Sequence, residues 1–347
     1  MNYKVGIWGQ FGGRGKIADG QAVKTVLLSK ELEKRYGRDH LCIANTNNWR
    51  KNPFQMIWRS IYLVAKSRHV LVLPADNGFK VFIPMLICLN KIFKRDLIYI
   101  VVGGFLPQLL KHAPKFKRYL DYFSAIYVET ESLKNDLDGL GVQKVSVLHN
   151  MKRLDCRTPS EIRLYDQENI KLCVFSRITK EKGVEDAIAA VNIANQVLGN
   201  QFITLDLYGI IPNAYKDHFD ELMKQNAAIA TYKGIVDYDK TVDVLKEYYA
   251  MLFPTYYHGE GFPGNLIDAY NAGIPVIATN WLYTGDIVKN ERNGILVEPQ
   301  NVSQLSKAIL KLYQDRQLAY IMSLNNLKDA KMYHPDVALQ ELYRKLD

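Results

Sequence analysis

Short apolar runs typical of buried β-strands alternate with segments of helical period along almost the whole chain. Residues 3–8 form the first such run, and residues 18–36 follow it with apolar side chains at helical spacing. Ile170–Phe175 opens a second series of the same kind, and residues 183–198 form its first helical segment. Strands that alternate with helices form parallel sheets covered by helices on both faces, so the pattern predicts an α/β fold.

The length of the chain and one irregular stretch predict two domains. With 347 residues, the chain is too long for one ordinary hydrophobic core. Residues 151–168 are polar and mixed and show no clear period, as expected of a linker. We therefore predict a Rossmann-like N-terminal domain at residues 1–153 and a second Rossmann-like domain at residues 165–332.

The charge of the chain is unevenly distributed. Residues 1–155 contain 25 Lys or Arg and 12 Asp or Glu, a net charge of +13, whereas residues 156–347 contain 20 and 24, a net charge of −4. Basic residues cluster with aromatic ones at residues 49–51, 58–59, 91–95 and 115–119, and residues 111–122 are predicted to form one basic helix. The pattern fits an ordinary solvated surface, or an anionic partner such as nucleic acid or a membrane surface.

The cysteines and the apolar runs indicate the compartment. Cys42, Cys88, Cys156 and Cys173 are scattered and form no CxxC pair, which predicts a reducing compartment with neither disulfides nor a metal site. The longest apolar runs reach about nine residues, too few to span a bilayer. The chain shows no signal peptide pattern. We expect a cytoplasmic protein. Peripheral attachment to the cytoplasmic face of the membrane is a second expectation.

The most informative stretch runs from residue 250 to residue 279. It is predicted to form a strand, a Gly-rich loop, a helix and a second strand, an arrangement that offers backbone N–H groups to an anion. These N–H groups would belong to Gly264, Asn265 and Leu266. Two acids, Glu260 and Asp268, have seven residues between them and could accept hydrogen bonds from sugar hydroxyls. Alternatively, Asp268 only favours the N-terminal turn of the helix, by about 0.5 kcal/mol.

A pair of cations follows the first strand of the second series. Arg177 and Lys182 lie between a buried strand and a helix, at the edge where a ligand would bind. Two fixed cations suit a diphosphate, whose negative charge grows as it departs as a leaving group. The alternative is a surface turn with ordinary basic residues.

A second Gly-rich loop, at residues 9–16, follows the first strand of the chain. It has the position and composition of a phosphate-binding loop, but it fits neither the Walker A motif nor the dinucleotide-binding motif. A tight turn between strand and helix is the alternative interpretation.

Together these features resemble the retaining GT-B glycosyltransferases of family four, of the bacterial surface-polysaccharide type, over nearly the whole chain. Arg177 and Lys182 match the family's Arg-x4-Lys motif. Glu260 and Asp268 match its Glu-x7-Glu motif, with Asp in place of the second Glu. The Gly-Gly pair at residues 12–13 matches its loop after the first strand. The His that often follows the fourth strand of the family has no counterpart here, where the sequence is Gly-Gly-Phe at residues 103–105.

The resemblance implies a fold and a role for each matched residue. The GT-B fold consists of two Rossmann-like, doubly wound domains that face each other across a cleft, with the final helix, here residues 333–347, packing back on the first domain. Arg177 and Lys182 would hold the diphosphate, Glu260 would contact the transferred sugar, and Asp268 would contact the ribose. The base would bind near residues 232–235. The implied substrate-binding residues are Gly12, Gly13, Gly234, Gly261, Phe262, Gly264, Asn265, Leu266 and Asp268.

The resemblance also implies an activity. The protein would move a sugar from a nucleotide-sugar donor to a glycan or lipid-linked acceptor in cell-surface polysaccharide synthesis, with neither a metal nor another cofactor. Because the residues matched to the family would bind a sugar donor, an anionic membrane surface is favoured over nucleic acid as the partner of the basic residues 1–155. The alternatives are a nucleotide-sugar epimerase or phosphorylase of the same fold, and a non-catalytic basic protein that binds membranes or nucleic acid.

Overall fold

The computed structural model describes residues 2–12, 20–74 and 76–347. Two compact units are present. Unit 1 comprises the described residues through Met151 together with Gly259–Phe262 and Pro335–Asp347, and unit 2 comprises Lys152–His258 and Pro263–His334. The predicted second domain, residues 165–332, includes residues 259–262, whereas the structure groups this short segment with unit 1.

The sheet of unit 1 has six parallel strands in the order β2-β1-β3-β4-β5-β6. Its direction of winding reverses between β1 and β3, and in sheets of this kind ligands bind at such a switch point, outside the carboxyl ends of the strands. The strands are β1 Tyr3–Gly9, β2 Leu41–Asn45, β3 Ser67–Leu73, β4 Asp96–Ile100, β5 Ala125–Val128 and β6 Val145–Val147.

The helices between these strands cover the sheet. They are α1 Gly20–Tyr36, α2 Pro53–Lys66, α3 Asp76–Phe93, α4 Leu106–His112, α5 Lys117–Leu120 and α6 Glu131–Gly139. The prediction of one helix at residues 111–122 is wrong. Helix α4 ends at His112, a 3₁₀ turn spans Pro114–Phe116, and α5 begins at Lys117. The cause is Pro114, because a proline excludes the preceding residue from helical geometry, and Ala113 has φ −139° and ψ 74°.

The sheet of unit 2 also has six parallel strands, in the order β12-β11-β10-β7-β8-β9. Its switch point lies between β7 and β10, which pair directly although β8 and β9 separate them in the sequence. The strands are β7 Ile170–Phe175, β8 Ile203–Tyr208, β9 Ala230–Gly234, β10 Ala250–Phe253, β11 Val276–Thr279 and β12 Gly294–Val297. The predicted α/β fold with two doubly wound sheets is confirmed.

The helices of unit 2 pack on this sheet around an apolar core. They are α7 Val184–Leu198, α8 Asn213–Gln225, α9 Thr241–Leu245, α10 Gly264–Ala272, α11 Thr284–Ile287, α12 Val302–Gln314 and α13 Arg316–Ala330. All four residues of β10 are buried, as expected for a strand inside a parallel sheet with helices on both faces.

The chain ends in two short helices that belong to unit 1, α14 Pro335–Ala338 and α15 Gln340–Leu346. Leu339, Leu342 and Leu346 are buried in the same apolar cluster as β1. The Asp347 side chain accepts hydrogen bonds from Lys4 Nζ at 2.7 Å and from Arg35 Nη2 at 2.5 Å. These donors hold the pKa of the Asp347 carboxyl well below its usual value. Within the described residues, no helix combines the length and apolarity needed to cross a bilayer.

Candidate functional site

The predicted cations lie at the switch point of the unit 2 sheet. Strand β7 ends at Phe175, two residues before Arg177, and Lys182 follows in a 3₁₀ turn at Lys180–Lys182. The neighbouring strand β10 ends at Phe253 and leads into the loop at residues 254–258. Because β7 and β10 are paired and parallel, both loops leave the same edge of the sheet. Ligands bind at this position in open α/β sheets.

Both cations lie against one aromatic ring of the second loop. The ammonium nitrogen of Lys182 is 5.0 Å from the centre of the Tyr257 ring, and the guanidinium carbon of Arg177 is 5.8 Å from it. The Arg177 side chain is exposed, so its donors can reach a ligand. The structure therefore brings together the two cations that the sequence predicts, and their combined charge suits a diphosphate.

A glycine joins the two loops at close range. Gly183 has φ 72°, and a Cβ at this position would lie 2.1 Å from the carbonyl oxygen of Pro254. The backbone N–H of Tyr256 donates to the carbonyl of Glu181 at 2.8 Å, which adds a second tie. Only glycine combines this backbone conformation with so close an approach, so Gly183 fixes the position of the Lys182 turn against the loop after β10.

Helix α10 begins at Gly264, and its first turn contacts the end of β7. Its first-turn N–H groups have no carbonyl partner one turn earlier inside the helix, so the helix presents partial positive charge there. The Asn265 side chain donates from Nδ2 to the carbonyl of Phe175 at 2.6 Å, which attaches the helix start to the end of β7. Its buried Oδ1 has no hydrogen-bond partner among the described residues. The N–H of Leu266 is already bonded to the Pro263 carbonyl, at 3.2 Å.

Asp268 lies within helix α10, and two protein side chains bind its carboxylate. Lys152 Nζ donates to both carboxylate oxygens, at 2.7 and 2.6 Å, and Thr241 Oγ1 donates to Oδ1 at 3.0 Å. Burial raises the pKa of the Asp268 carboxyl, while Lys152 and Thr241 act in the opposite direction. The predicted contact with the ribose stays a prediction, and the structure adds a buried ion pair that the sequence did not indicate.

Gly234, predicted near the base, lies at the end of β9 with φ 86°. Its carbonyl accepts a hydrogen bond from the N–H of Gly209 at 2.9 Å. A Cβ on Gly209 would lie 1.8 Å from the carbonyl oxygen of Ser176, so the chain after β8 packs tightly behind the segment that carries Arg177. Gly209 therefore packs against the backbone segment that carries Arg177.

In unit 1, the loop after β1 also lies at the switch point of its sheet. Gly12 has φ 75°, and its carbonyl accepts a hydrogen bond from Asn45 Nδ2 at 3.2 Å. The oxygen of the same Asn45 side chain accepts from the N–H of Phe11 at 3.1 Å. The other glycine predicted in this loop, Gly13, lies outside the described residues.

Glu260, Gly261 and Phe262 belong to unit 1, and Gly261 and Phe262 pack against residues that follow β4 and β5. The Glu260 side chain is buried. A Cβ on Gly261 would lie 2.6 Å from both Gly103 Cα and Glu129 Oε2. The sequence assigned these three residues to the same site as Arg177 and Lys182, and that joint assignment stays a prediction.

Four residues around these positions were not predicted to have a role. Tyr257 and Gly209 lie next to the Arg177 and Lys182 segment, and Tyr257 could have been identified as an aromatic residue within the Gly-rich loop. Lys152 falls in a stretch that the sequence predicts only as a linker. Glu129 follows β5 and belongs to no local motif. Their partners are distant in the sequence, so no local pattern indicates them.

Comparison with known proteins gives a family and a fold. Residues 158–329 match the family model described as glycosyl transferases group 1. The chain is 24% identical over 263 residues to the uncharacterized glycosyltransferase MJ1069 of Methanocaldococcus jannaschii, covering 67% of this chain and 62% of the relative. It is 28% identical over 163 residues to the capsular polysaccharide biosynthesis glycosyltransferase CapM of Staphylococcus aureus, covering 46% of this chain and 41% of the relative. The chain thus spans less than two thirds of either relative.

Solved structures resemble the whole chain. Anabaena Alr3699/HepE in complex with UDP has a TM-score of 0.76 at 16% identity, with 99% of each chain covered. Sucrose-phosphate synthase from Thermosynechococcus elongatus also has a TM-score of 0.76, at 15% identity, with 99% of this chain and 98% of that chain covered. At such low identity these likenesses show the fold alone, which is GT-B. The family match identifies residues 158–329 of the chain as a group 1 glycosyl transferase domain.

Proposed function

We propose that the protein transfers a sugar from a nucleotide-sugar donor to a hydroxyl group of a glycan or lipid-linked acceptor, in the synthesis of a cell-surface polysaccharide. The observation that carries the proposal is the pair Arg177 and Lys182, which share the ring of Tyr257 at the switch point of unit 2. Fixed cations at this position suit the diphosphate of such a donor.

The chemistry follows from where charge develops. When the bond between the sugar and the diphosphate breaks, negative charge accumulates on the phosphate oxygens. Arg177 and Lys182 stabilise this charge, and the first turn of α10 adds its partial positive charge. Glu260 is the residue proposed to contact the transferred sugar, and the anomeric configuration is retained. The two side-chain cations and the helix account for the stabilisation without a metal or another cofactor.

The names of similar proteins support a class of donor and a class of product. Anabaena HepE has been solved with UDP and with UDP-glucose. CapM of Staphylococcus aureus is named for capsular polysaccharide biosynthesis, and a mannosyltransferase of Escherichia coli for the O-antigen chain. We therefore propose a uridine diphosphate sugar as the donor and a growing polysaccharide, free or attached to a lipid, as the acceptor.

A donor screen tests this proposal. Thermal unfolding is measured with UDP, GDP, ADP and their glucose conjugates, since a ligand at a hundredfold its dissociation constant adds about 2.7 kcal/mol of stability. The donor that stabilises the protein is then incubated with acceptor glycans, and the anomeric configuration of the product is read by NMR. A product with the donor's configuration supports the proposal, and an inverted product contradicts retention.

The same experiment separates the alternatives. An epimerase would convert the sugar nucleotide into its epimer without any acceptor, and a phosphorylase would require inorganic phosphate. A non-catalytic protein would bind a nucleotide or membrane and consume no donor. Each of these results would contradict the proposed transfer reaction and support the corresponding alternative.

We further propose that unit 1 docks on an anionic membrane surface. Helix α2 buries Met56, Leu63 and Val64 against the unit. Its opposite face carries Phe54 and Trp58, which are 85% and 68% exposed and lie one turn apart. Ile57 and Tyr62 extend this exposed apolar face. A helix with apolar and aromatic side chains on its solvent side is suited to the boundary between lipid headgroups and acyl chains.

The charge around α2 points to anionic lipid rather than to a second protein. Residues 40–75 contain five Lys or Arg residues and no Asp or Glu. Each basic residue near an anionic surface contributes about 1 kcal/mol of attraction. Helix α3, which packs beside α2, carries Lys91 next to Ile92, and Ile92 is strongly exposed. The four scattered cysteines favour a reducing compartment, so we propose that this membrane contact is on the cytoplasmic face.

A further inference from the structure

We infer that Glu129 is a positioning residue for the segment that carries Glu260. Glu129 immediately follows β5 and is only 3% exposed at its side chain, and its partner Lys24, on α1, is 4% exposed. The Lys24 ammonium lies 2.7 Å from Glu129 Oε1. A buried carboxylate with a single charged partner still has a second oxygen that needs a donor.

The second oxygen of Glu129 contacts the Glu260 segment directly. Oε2 accepts a hydrogen bond from the backbone N–H of Phe262 at 3.1 Å, and this contact is buried. The carbonyl of Phe262 in turn accepts from Asn150 Nδ2 at 3.0 Å. Both polar backbone groups of Phe262 are therefore held by side chains of unit 1, two residues after Glu260.

Close backbone packing leaves this segment little freedom to move away. A Cβ on Gly261 would lie 2.6 Å from Gly103 Cα, and a Cβ on Gly103 would lie 3.0 Å from the carbonyl oxygen of Gly259. Gly103, at φ 83°, belongs to the turn that follows β4. The segment is thus held between a backbone contact on one side and the Glu129 carboxylate on the other.

Lys24 determines the orientation of the Glu129 carboxylate. Its ammonium lies 3.5 Å from the carbonyl oxygen of Val101 and 2.7 Å from Glu129 Oε1, so it ties α1 to the ends of β4 and β5. The carbonyl of Glu129 also accepts a hydrogen bond from His149 Nδ1, at 2.9 Å. Glu129 is consequently held at both its side chain and its backbone. Its carboxylate therefore restrains the position of Phe262.

The consequence for catalysis rests on the proposed function, in which Glu260 contacts the transferred sugar. A displacement of a reacting group by about 1 Å can lower turnover on the order of a hundredfold. Glu129 therefore acts through the position of Glu260 and not through contact with substrate, so its loss should lower kcat and leave the KM for the donor nearly unchanged.

A matched pair of double variants tests the inference. Lys24→Met with Glu129→Gln removes both charges and keeps an oxygen that can accept from Phe262 N–H, whereas Lys24→Met with Glu129→Leu removes the acceptor as well. We expect hydrogen exchange in the peptide that covers residues 259–264 to be about tenfold faster in the Leu variant than in the Gln variant. We expect kcat to fall at least about tenfold in the Leu variant and to be largely rescued in the Gln variant.

Equal exchange in this peptide for the two variants would overturn the inference, as would unequal exchange with equal kcat. The core variant Val64→Ala, in the same unit, controls for a general loss of stability. It should change neither the hydrogen exchange of residues 259–264 nor kcat. If the wild type transfers no sugar from any donor, the proposed function fails by itself. The exchange comparison then still decides whether Glu129 holds the segment.

A second variant serves if the Leu variant does not fold. Gly261→Ala places a methyl group 2.6 Å from Glu129 Oε2 and Gly103 Cα, and it should displace the segment and speed its exchange. Gly139→Ala is the control, because a Cβ at that position meets nothing within 4 Å. Equal exchange at residues 259–264 in the two alanine variants would also overturn the inference.

Discussion

Lys152 Nζ lies 2.6 and 2.7 Å from the two carboxylate oxygens of Asp268, and both side chains are buried in unit 2. The backbone N–H of Lys152 also donates to the carbonyl of Tyr333 at 3.1 Å. Lys152 is the first residue of unit 2, and Tyr333 lies near the end of its last segment. Lys152 therefore attaches the start of unit 2 to α10 through its side chain and to the end of the unit's last segment through its backbone.

Removal of one partner of this pair should destabilise the protein strongly. In Lys152→Met, the Asp268 carboxylate remains buried without its cation, so we expect the free energy of unfolding of unit 2 to fall by about 3–5 kcal/mol. Urea denaturation measures this change. The double variant Lys152→Met/Asp268→Leu replaces both charges by apolar groups and should recover most of the loss. A change below about 1 kcal/mol in the single variant would contradict the structural role of the pair.

The same pair bears on the prediction that Asp268 contacts the ribose. Its carboxylate is one methylene shorter than that of the Glu in the related motif, and both of its oxygens are engaged by Lys152 and Thr241. If Asp268 also accepts from the ribose, as predicted, the preference for UDP over 2′-deoxy-UDP should fall in Lys152→Met/Asp268→Leu relative to the wild type. Isothermal titration calorimetry measures both affinities. An unchanged preference for UDP in the variant would contradict the contact with the ribose.

The two cations beside Tyr257 should account for recognition of the diphosphate. A hydrogen bond to a charged group contributes about 1.5–3 kcal/mol, so Arg177→Ala and Lys182→Ala should each weaken UDP binding by about 10- to 100-fold. Binding of UMP should change less, because UMP lacks the second phosphate. Lys180→Ala is the matched control, since Lys180 is an exposed lysine of the same 3₁₀ turn. Equal losses in the Lys180 and Lys182 variants would show a nonspecific effect of charge.

The parts of this structure that local sequence predicts are those that local physics determines. Alternating apolar runs determine strands and helices, and the order of these elements leads to two parallel sheets. Arg177 and Lys182 were predicted together because they lie five residues apart and follow one strand. The break at Pro114 could also have been predicted, since proline excludes a continuous helix there.

Contacts between distant parts of the chain could not be predicted in the same way. Lys152 and Asp268 are 116 residues apart, and Glu129 and Phe262 are 133 residues apart. The sequence places residues 259–262 between strands of the second series, and only tertiary packing groups them with unit 1. Burial of a charge is a property of the folded chain, so a linker lysine and a carboxylate after a strand carry no local sign of it.

Gly183 should be far less tolerant of a side chain than a glycine of similar conformation elsewhere. Gly183 and Gly199 have φ 72° and 74°, and both flank helix α7. A Cβ on Gly183 would lie 2.1 Å from the Pro254 carbonyl oxygen, whereas a Cβ on Gly199 meets nothing within 4 Å. Gly199→Ala should therefore cost only the backbone strain, about 1–2 kcal/mol.

Gly183→Ala should cost more, because the loop after β10 must shift as well, and it should also weaken UDP binding. Urea denaturation and calorimetry on the two variants test this comparison. Equal stability and equal UDP affinity in the two variants would show that the close approach of Gly183 to Pro254 does not hold the site together.

The exposed face of α2 gives a prediction that does not depend on the transfer reaction. Phe54→Ser/Trp58→Ser removes two large apolar side chains. Transfer of such a side chain out of water is favourable by about 1.5–3 kcal/mol. We expect binding to vesicles that contain phosphatidylglycerol to fall by at least about tenfold, as measured by co-sedimentation at low salt. Binding of the wild type to phosphatidylcholine vesicles should be weak, because these vesicles lack the negative charge that attracts the basic residues around α2.

The chain offers a matched control in unit 2. Ile193 and Val197 are also exposed apolar residues one turn apart on a helix, α7. Ile193→Ser/Val197→Ser should leave vesicle binding unchanged, because residues 184–215 contain no Lys or Arg. Two results would contradict the membrane surface: equal binding of both double variants, or equal binding of the wild type to charged and neutral vesicles. A concentration-dependent dimer that Phe54→Ser/Trp58→Ser abolishes would instead assign this face to a second copy of the chain.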